Sequence, residues 1–234
     1  MPTPLVLLPG MMCDARLFAA QTAALQDDRQ IIVPPMDGAD TMSGLASSIL
    51  ANLPARFALG GVSMGGILAM EILRQDAGRI SHLALIDTNP YAERDEIRHR
   101  RDQQIEAVRL GRLEAVMRDE MKPNYFTHRP DSAALRDLCM AMALDVGAAA
   151  FLRQSVALRG RPDYADVLQH VSCPTLVLCG RHDVLCPIDR HQDMHDMISH
   201  SRLLIIEGAG HLPTIEEPEI VTQALRELLE IEDG

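Results

Sequence analysis

Six short runs of aliphatic residues recur along the chain: Leu5–Leu8, Ile31–Val33, Phe57–Val62, Leu83–Ile86, Thr175–Cys179 and Leu203–Ile206. None alternates apolar with polar. A strand with one wet face alternates, whereas a continuous apolar run has both faces covered, as in parallel strands held between two layers of helix. Helical patterns fill the intervals, from about Asp14 to Leu25 and over Met42–Asn52, Met64–Gln75, Asp189–Ile198 and Pro218–Ile231. Pro218 suits a first helical turn, and its acidic neighbours complement the helix dipole. The expectation is an α/β protein with a doubly wound, mostly parallel sheet of about six strands.

One stretch departs from this rhythm. Tyr91 to Tyr164 holds no strand pattern but four helical ones, near 93–110, 112–121, 132–145 and 147–159, with Pro123 and Pro130 bracketing a break. The expected organisation is a core of residues 1–90 and 165–234 with a helical cap at 91–164. The cap carries 13 basic and 12 acidic residues out of 22 and 33, so the net charge of −11 belongs to the rest of the chain. Such an acidic body argues against nucleic acid or anionic lipid as a partner. No apolar stretch approaches the roughly 20 residues that span a bilayer, and the N-terminal segment lacks the basic start of a secretory signal. Five irregularly spaced cysteines draw neither a disulfide framework nor a metal clip. The expected location is cytoplasmic.

Chemistry concentrates in three loops that follow strands. Gly61-Val62-Ser63-Met64-Gly65 stands between an apolar run and a helix. A serine at such a sharp turn is pushed out above the sheet, and glycines two residues to either side relieve the crowding. Its hydroxyl needs a base, because it is almost wholly protonated at neutral pH. His211, in the small-residue loop after the last run, can supply one, and Asp183, after the preceding run, can fix the imidazole's tautomer. The order Ser63, Asp183, His211 is the one found with a nucleophile elbow in an open α/β sheet.

These pieces, together with Leu7-Leu8-Pro9-Gly10-Met11 and Cys173–Gly180, resemble the α/β-hydrolase superfamily, in particular its small helix-capped bacterial esterases. The resemblance runs nearly the full length. It implies that the backbone N–H groups of Met11 and Met64 hold the oxyanion, and that Met11, Met12 and Met64 line an adaptable apolar pocket. It implies no cofactor and no metal. Pro9-Gly10 stands where many relatives have His-Gly, which changes what braces the loop. The family commonly has eight strands, so two at the start are expected to be lacking.

Other residues admit two readings. Asp87 ends its own strand and is a rival acid, although Asp183 has the better spacing to His211. Asp14 is expected to cap the first helix. His191 and His195 share a helical face as a zinc clip would, but Gln192 stands where a metalloprotease has its glutamate, so a solvated face is expected. His182 is expected at the rim, and Cys179 and Cys186 as small apolar fillers. Arg98, Arg100 and Arg101 suggest either a dock for an anionic substrate or acyl carrier, or a solvated helix paired with Glu96 and Asp102; the second is expected. The resulting function is hydrolysis of a small carboxylic ester, thioester or lactone with an apolar acyl group, through an acyl-enzyme on Ser63. The alternatives are a C–C bond hydrolase, enol-lactonase or perhydrolase with the same triad, and a ligand receptor on a hydrolase scaffold.

Overall fold

The computed structural model describes residues 2–127 and 131–232. Strands β1 (Leu5–Leu8), β2 (Ile31–Ile32), β3 (Phe57–Val62), β4 (Ile80–Ile86), β5 (Thr175–Gly180) and β6 (Arg202–Ile206) form one six-stranded sheet in the order β2-β1-β3-β4-β5-β6. All neighbouring pairs are parallel. This is the α/β-hydrolase fold with six strands, as the apolar runs predict. β5 ends one residue later and β6 starts one residue earlier than the apolar runs, and two further boundaries differ. β4 begins three residues early, because Ser81 and His82 are buried yet satisfied: His82 Nε2 lies 2.8 Å from the Ile231 carbonyl. β2 is a half-buried edge that ends before Pro34.

Among the described residues the helices are α1 (Ala19–Leu25), α2 (Met42–Leu50), α3 (Met64–Asp76), α4 (Asp95–Arg109), α5 (Leu113–Ala115), α6 (Ser132–Arg159), α7 (Ala165–Leu168), α8 (Ile188–Met197), α9 (Pro213–Glu216) and α10 (Pro218–Leu229). A 3-10 turn at Ala15–Phe18 precedes α1, and Asp14 caps it by accepting the Arg16 N–H at 2.9 Å. The strand side chains separate into two apolar layers. Leu5 and Leu7 pack with α1 and α10, whereas Val6 and Leu8 pack with α2 and α3. Both faces are therefore dry, which is why the runs do not alternate.

Among the described residues, the chain between β4 and β5 contains no strand. α5 runs into a wider turn over Val116–Met121, and α6 breaks at Gly147, whose φ of +83° is open to glycine and costly for other residues. That break separates the two helical patterns expected at 132–145 and 147–159. Pro130, expected to bracket a break, lies outside the described residues.

The topology fixes where a site can form. From β1 the chain steps outward to β2, then returns to β3 on the other side of β1. The sheet thus reverses direction between β1 and β3. A crevice opens at the carboxyl ends of strands at such a point. Gly10 and Ser63 are found there.

Candidate active site

Ser63 leaves β3 with φ +54° and ψ −115°, a left-handed conformation that a non-glycine residue adopts only when its surroundings hold it. Three bonds do so. Its N–H donates to the Ile86 carbonyl (2.9 Å), and its carbonyl accepts from Ile67 N–H (3.1 Å) and Thr88 Oγ1 (2.8 Å). Thr88 is itself tied to α8, its N–H donating to His191 Nε2 at 3.1 Å. The two glycines of the elbow act differently. A Cβ on Gly61 would strike the Gly65 backbone across the turn, as expected. A Cβ on Gly65 would instead strike the Leu8 carbonyl, so this glycine lets α3 sit directly against β1.

His211 Nε2 lies 2.9 Å from Ser63 Oγ, and His211 Nδ1 lies 2.7 Å from Asp183 Oδ2. Asp183 and His211 are both buried. The second oxygen of Asp183 accepts the N–H groups of Leu185 (2.8 Å) and Cys186 (3.1 Å), which locks the loop after β5 around the carboxylate. Burial alone would raise the pKa of Asp183; the His211 imidazole and the hydrogen bonds from His211, Asp87 and Cys186 outweigh it and hold the carboxyl below its usual range. With Asp183 ionised, Nδ1–H donates to it, and Nε2 is left to accept the Ser63 proton.

Asp87 is fully buried behind this pair, at φ +42°. Its Oδ1 accepts the Gly180 N–H at 3.0 Å, and Oδ2 has no donor. Burial, and after it the neighbouring Asp183 charge, push its pKa well up. Asp183, Cys186 and His211 also bring one potential ligand atom each within 4.8 Å of one another. His211 Nδ1 is engaged by Asp183, however, and burial pushes the Cys186 thiol well up.

A cavity of about 520 Å³ opens over Ser63 and His211. Met11 and Met64 line it, and neither backbone N–H donates to a protein acceptor among the described residues. Met12, expected beside them, does not line the cavity. With φ +59° it turns into the core, and its N–H donates to Gln154 Oε1 at 2.9 Å. The far wall comes from the helical segment between β4 and β5, including Tyr91, Met121, Tyr125 and Leu158. Arginines from that segment line it too, so the expected wholly apolar site is a mixed one.

A sequence model of the alpha/beta hydrolase family matches residues 5–224. The chain belongs to the alpha/beta hydrolase family. It is an enzyme of that family, a hydrolase. It is similar to a thermophilic esterase from Thermogutta terrifontis at 30% identity, with a TM-score of 0.88 over 98% of this chain and 90% of that one. It is also similar to the enol-lactonase from Burkholderia xenovorans LB400, at 20% identity and a TM-score of 0.89 over 99% of this chain and 92% of that one, which shows the shared fold. A pimeloyl-[acyl-carrier protein] methyl ester esterase of Neisseria meningitidis is 23% identical over 85% of this chain and 77% of that protein.

In this hydrolase the geometry brings Ser63, Asp183 and His211 together. His182 is exposed at the edge of the acid loop, and Cys179 and Cys186 are buried. Two expectations need correction. His191 is fully buried and not on a solvated face: it accepts the Thr88 N–H, and burial pulls its pKa down to about 4. Arg101 is not solvated either, as it pairs with Glu93 at 2.6 Å on the cavity wall. Sequence reasoning missed Tyr125, whose carbonyl accepts the His211 N–H at 2.8 Å and whose ring lies 5.8 Å from the imidazole. It also missed Gln154 and the buried Glu216, whose carboxylate accepts the Gly210 N–H at 2.9 Å. No sequence pattern marks these residues, because their partners come near only on folding. Among the described residues, no helix is long and apolar enough to cross a membrane.

Proposed function

We propose that this enzyme hydrolyses small carboxylic esters through an acyl-enzyme on Ser63. The observation that carries the reading is the unbroken line from Ser63 Oγ to His211 Nε2 (2.9 Å) and from His211 Nδ1 to Asp183 (2.7 Å), on a serine held at φ +54°. His211 takes the Ser63 proton as Oγ attacks the ester carbonyl, and Asp183 stabilises the imidazolium that forms. The N–H groups of Met11 and Met64 receive the oxyanion, where loss of one donor typically costs about 10²–10³ in turnover. The imidazolium protonates the leaving alcohol. Water, deprotonated by the same histidine, then frees the acid and restores Ser63. Residues 91–164 act as a cap on a core of 1–90 and 165–234, closing the cavity and excluding bulk water from the reacting carbonyl.

The relatives named as esterases support the bond type, and the cavity volume fits a small substrate. Ser63→Ala is expected to lower hydrolysis of short p-nitrophenyl esters by at least about 10³-fold and to abolish labelling by a fluorophosphonate. Labelling that persists in the Ala variant overturns the assignment of Ser63. Stoichiometric labelling of the wild type without turnover of any ester would replace the enzyme reading with a receptor.

A further inference from the structure

Glu93 lies at the start of the cap with its side chain only 1% exposed, between two guanidiniums that are themselves 12% (Arg101) and 8% (Arg161) exposed. Arg101 grips it through Nη2 (2.6 Å) and Nε (2.9 Å), and Arg161 through Nη1 (3.0 Å). Arginine stays charged under all physiological conditions. Two cations thus share one anion, and a full positive charge is left buried. Such a charge is costly unless an anion meets it.

That charge faces the reaction. Glu93, Arg101 and Arg161 all line the cavity that holds Ser63 and His211. Arg101 Nη1 is directed at the Met11 sulfur at 3.6 Å, and a thioether is a weak acceptor. Arg161 Nε donates to the Tyr91 carbonyl and Nη1 also to the Leu158 carbonyl, but Nη2 finds no protein acceptor among the described residues. Both guanidiniums therefore keep donors for a guest. The remaining lining charges add to the imbalance: Arg94 and Arg100 against Glu120, with Arg190 already paired to Asp193 at 3.6 Å. A positive wall of this kind, in a protein of net charge −11, focuses anions onto the site.

We infer that the substrate ester carries a carboxylate of its own, and that Arg101 and Arg161 hold it inside the catalytic cavity. Paired N–H groups on a planar guanidinium match the two oxygens of a carboxylate. The neutral remainder of the substrate lies along Met11, Met64 and Leu158, which line the same cavity. This inference rests on the ester-hydrolase reading above.

Hydrolysis followed by pH-stat compares monomethyl glutarate (carboxylate on the acyl side) with dimethyl glutarate, and O-acetylglycolate (carboxylate on the alcohol side) with its methyl ester. In the wild type, at least one charged ester is expected to exceed its neutral partner in kcat/KM by ten-fold or more, and that pair shows on which side the carboxylate lies. Arg101→Met leaves Glu93 balanced by Arg161 and is expected to bring the ratio to one or below. Arg101→Lys should keep part of it, and Glu93→Gln, which frees a second positive charge, should raise it. Ratios near one for both pairs in the wild type, or a ratio unmoved in Arg101→Met and Glu93→Gln, overturn the inference while leaving the esterase reading in place. Calorimetric titration with glutarate separates the two: binding that depends on Arg101, without turnover of any ester, keeps the carboxylate site and overturns the esterase reading. No binding and no turnover overturn both. Circular dichroism melts of each variant distinguish lost recognition from lost folding.

Discussion

Asp87 and Asp183 stand side by side, yet only Asp183 meets His211. The difference lies in their surroundings. Asp183 has two backbone N–H groups and an imidazole to offset its charge, whereas Asp87 has one N–H and a charged neighbour. Because the folded-state pKa of Asp87 is raised, its contribution to stability is complete in acid and is lost as pH rises through that folded value. Asparagine has the shape of the neutral acid: its oxygen can accept the Gly180 N–H and its amide can donate to Asp183. Asp87→Asn is therefore expected to keep ester hydrolysis and to gain on the wild type in urea unfolding as pH is raised from 5 to 8. Asp87→Ala, which orphans the Gly180 N–H, should lose about 1–3 kcal/mol. An Asn variant as unstable as the Ala variant would show that Asp87 is ionised. At this scale Ser63, Asp183 and His211 were legible in the sequence, since each follows an apolar run and has a glycine within the three residues before it. The raised pKa of Asp87, Gln154's grip on Met12 and Glu216's hold on the histidine loop were not, because each depends on a partner that only folding brings near.

At the scale of elements, the elbow shows how a strand and a helix can be brought together by a missing side chain. α3 lies against β1 because Gly65 presents no Cβ to the Leu8 carbonyl. Gly65→Ala should therefore push α3 off the sheet, with a loss of at least about 3 kcal/mol or failure to fold, while Gly78→Ala, with open space around it, should stay within about 0.5 kcal/mol of the wild type. Thermal melts of the two variants side by side would check this, and equal melting temperatures would refute it. Most elements were readable from pattern, since dry strands leave unbroken aliphatic runs and Gly147 marks a visible break between two helical repeats. The first turns of β4 escaped because buried Ser81 and His82 look like surface residues until their partners are known. The inward face of α4 escaped for a related reason: Arg101 reads as solvent-exposed, and Glu93, which buries it, lies outside the helix.

The molecule as a whole joins an acidic body to a helical segment of nearly balanced charge, and its stability carries a titration directly behind the elbow, at the residue that accepts the Thr88 N–H. His191 is neutral in the fold, with a pKa near 4 against an ordinary 6.5, because burial disfavours its charged form. Its folded value is depressed, so the stability it contributes is present above pH 6.5 and is lost as pH falls toward 4, amounting to roughly 3 kcal/mol at most. Gln can still accept the Thr88 N–H and does not titrate. Between pH 7 and pH 5 the wild type should therefore lose about 2 kcal/mol more than His191→Gln in urea unfolding; parallel losses would place the acid sensitivity elsewhere. The join between body and helical segment has its own consequence. The backbone of His211 hangs from the Tyr125 carbonyl, and Thr127 N–H donates to the same Glu216 that holds Gly210. Were the stretch near Tyr125 to swing away from the sheet, it would take the imidazole's support with it. The imidazole is therefore held from two sides, by the loop after β6 that Glu216 ties down and by the helical segment at Tyr125, so its aim at the serine belongs to both parts of the chain.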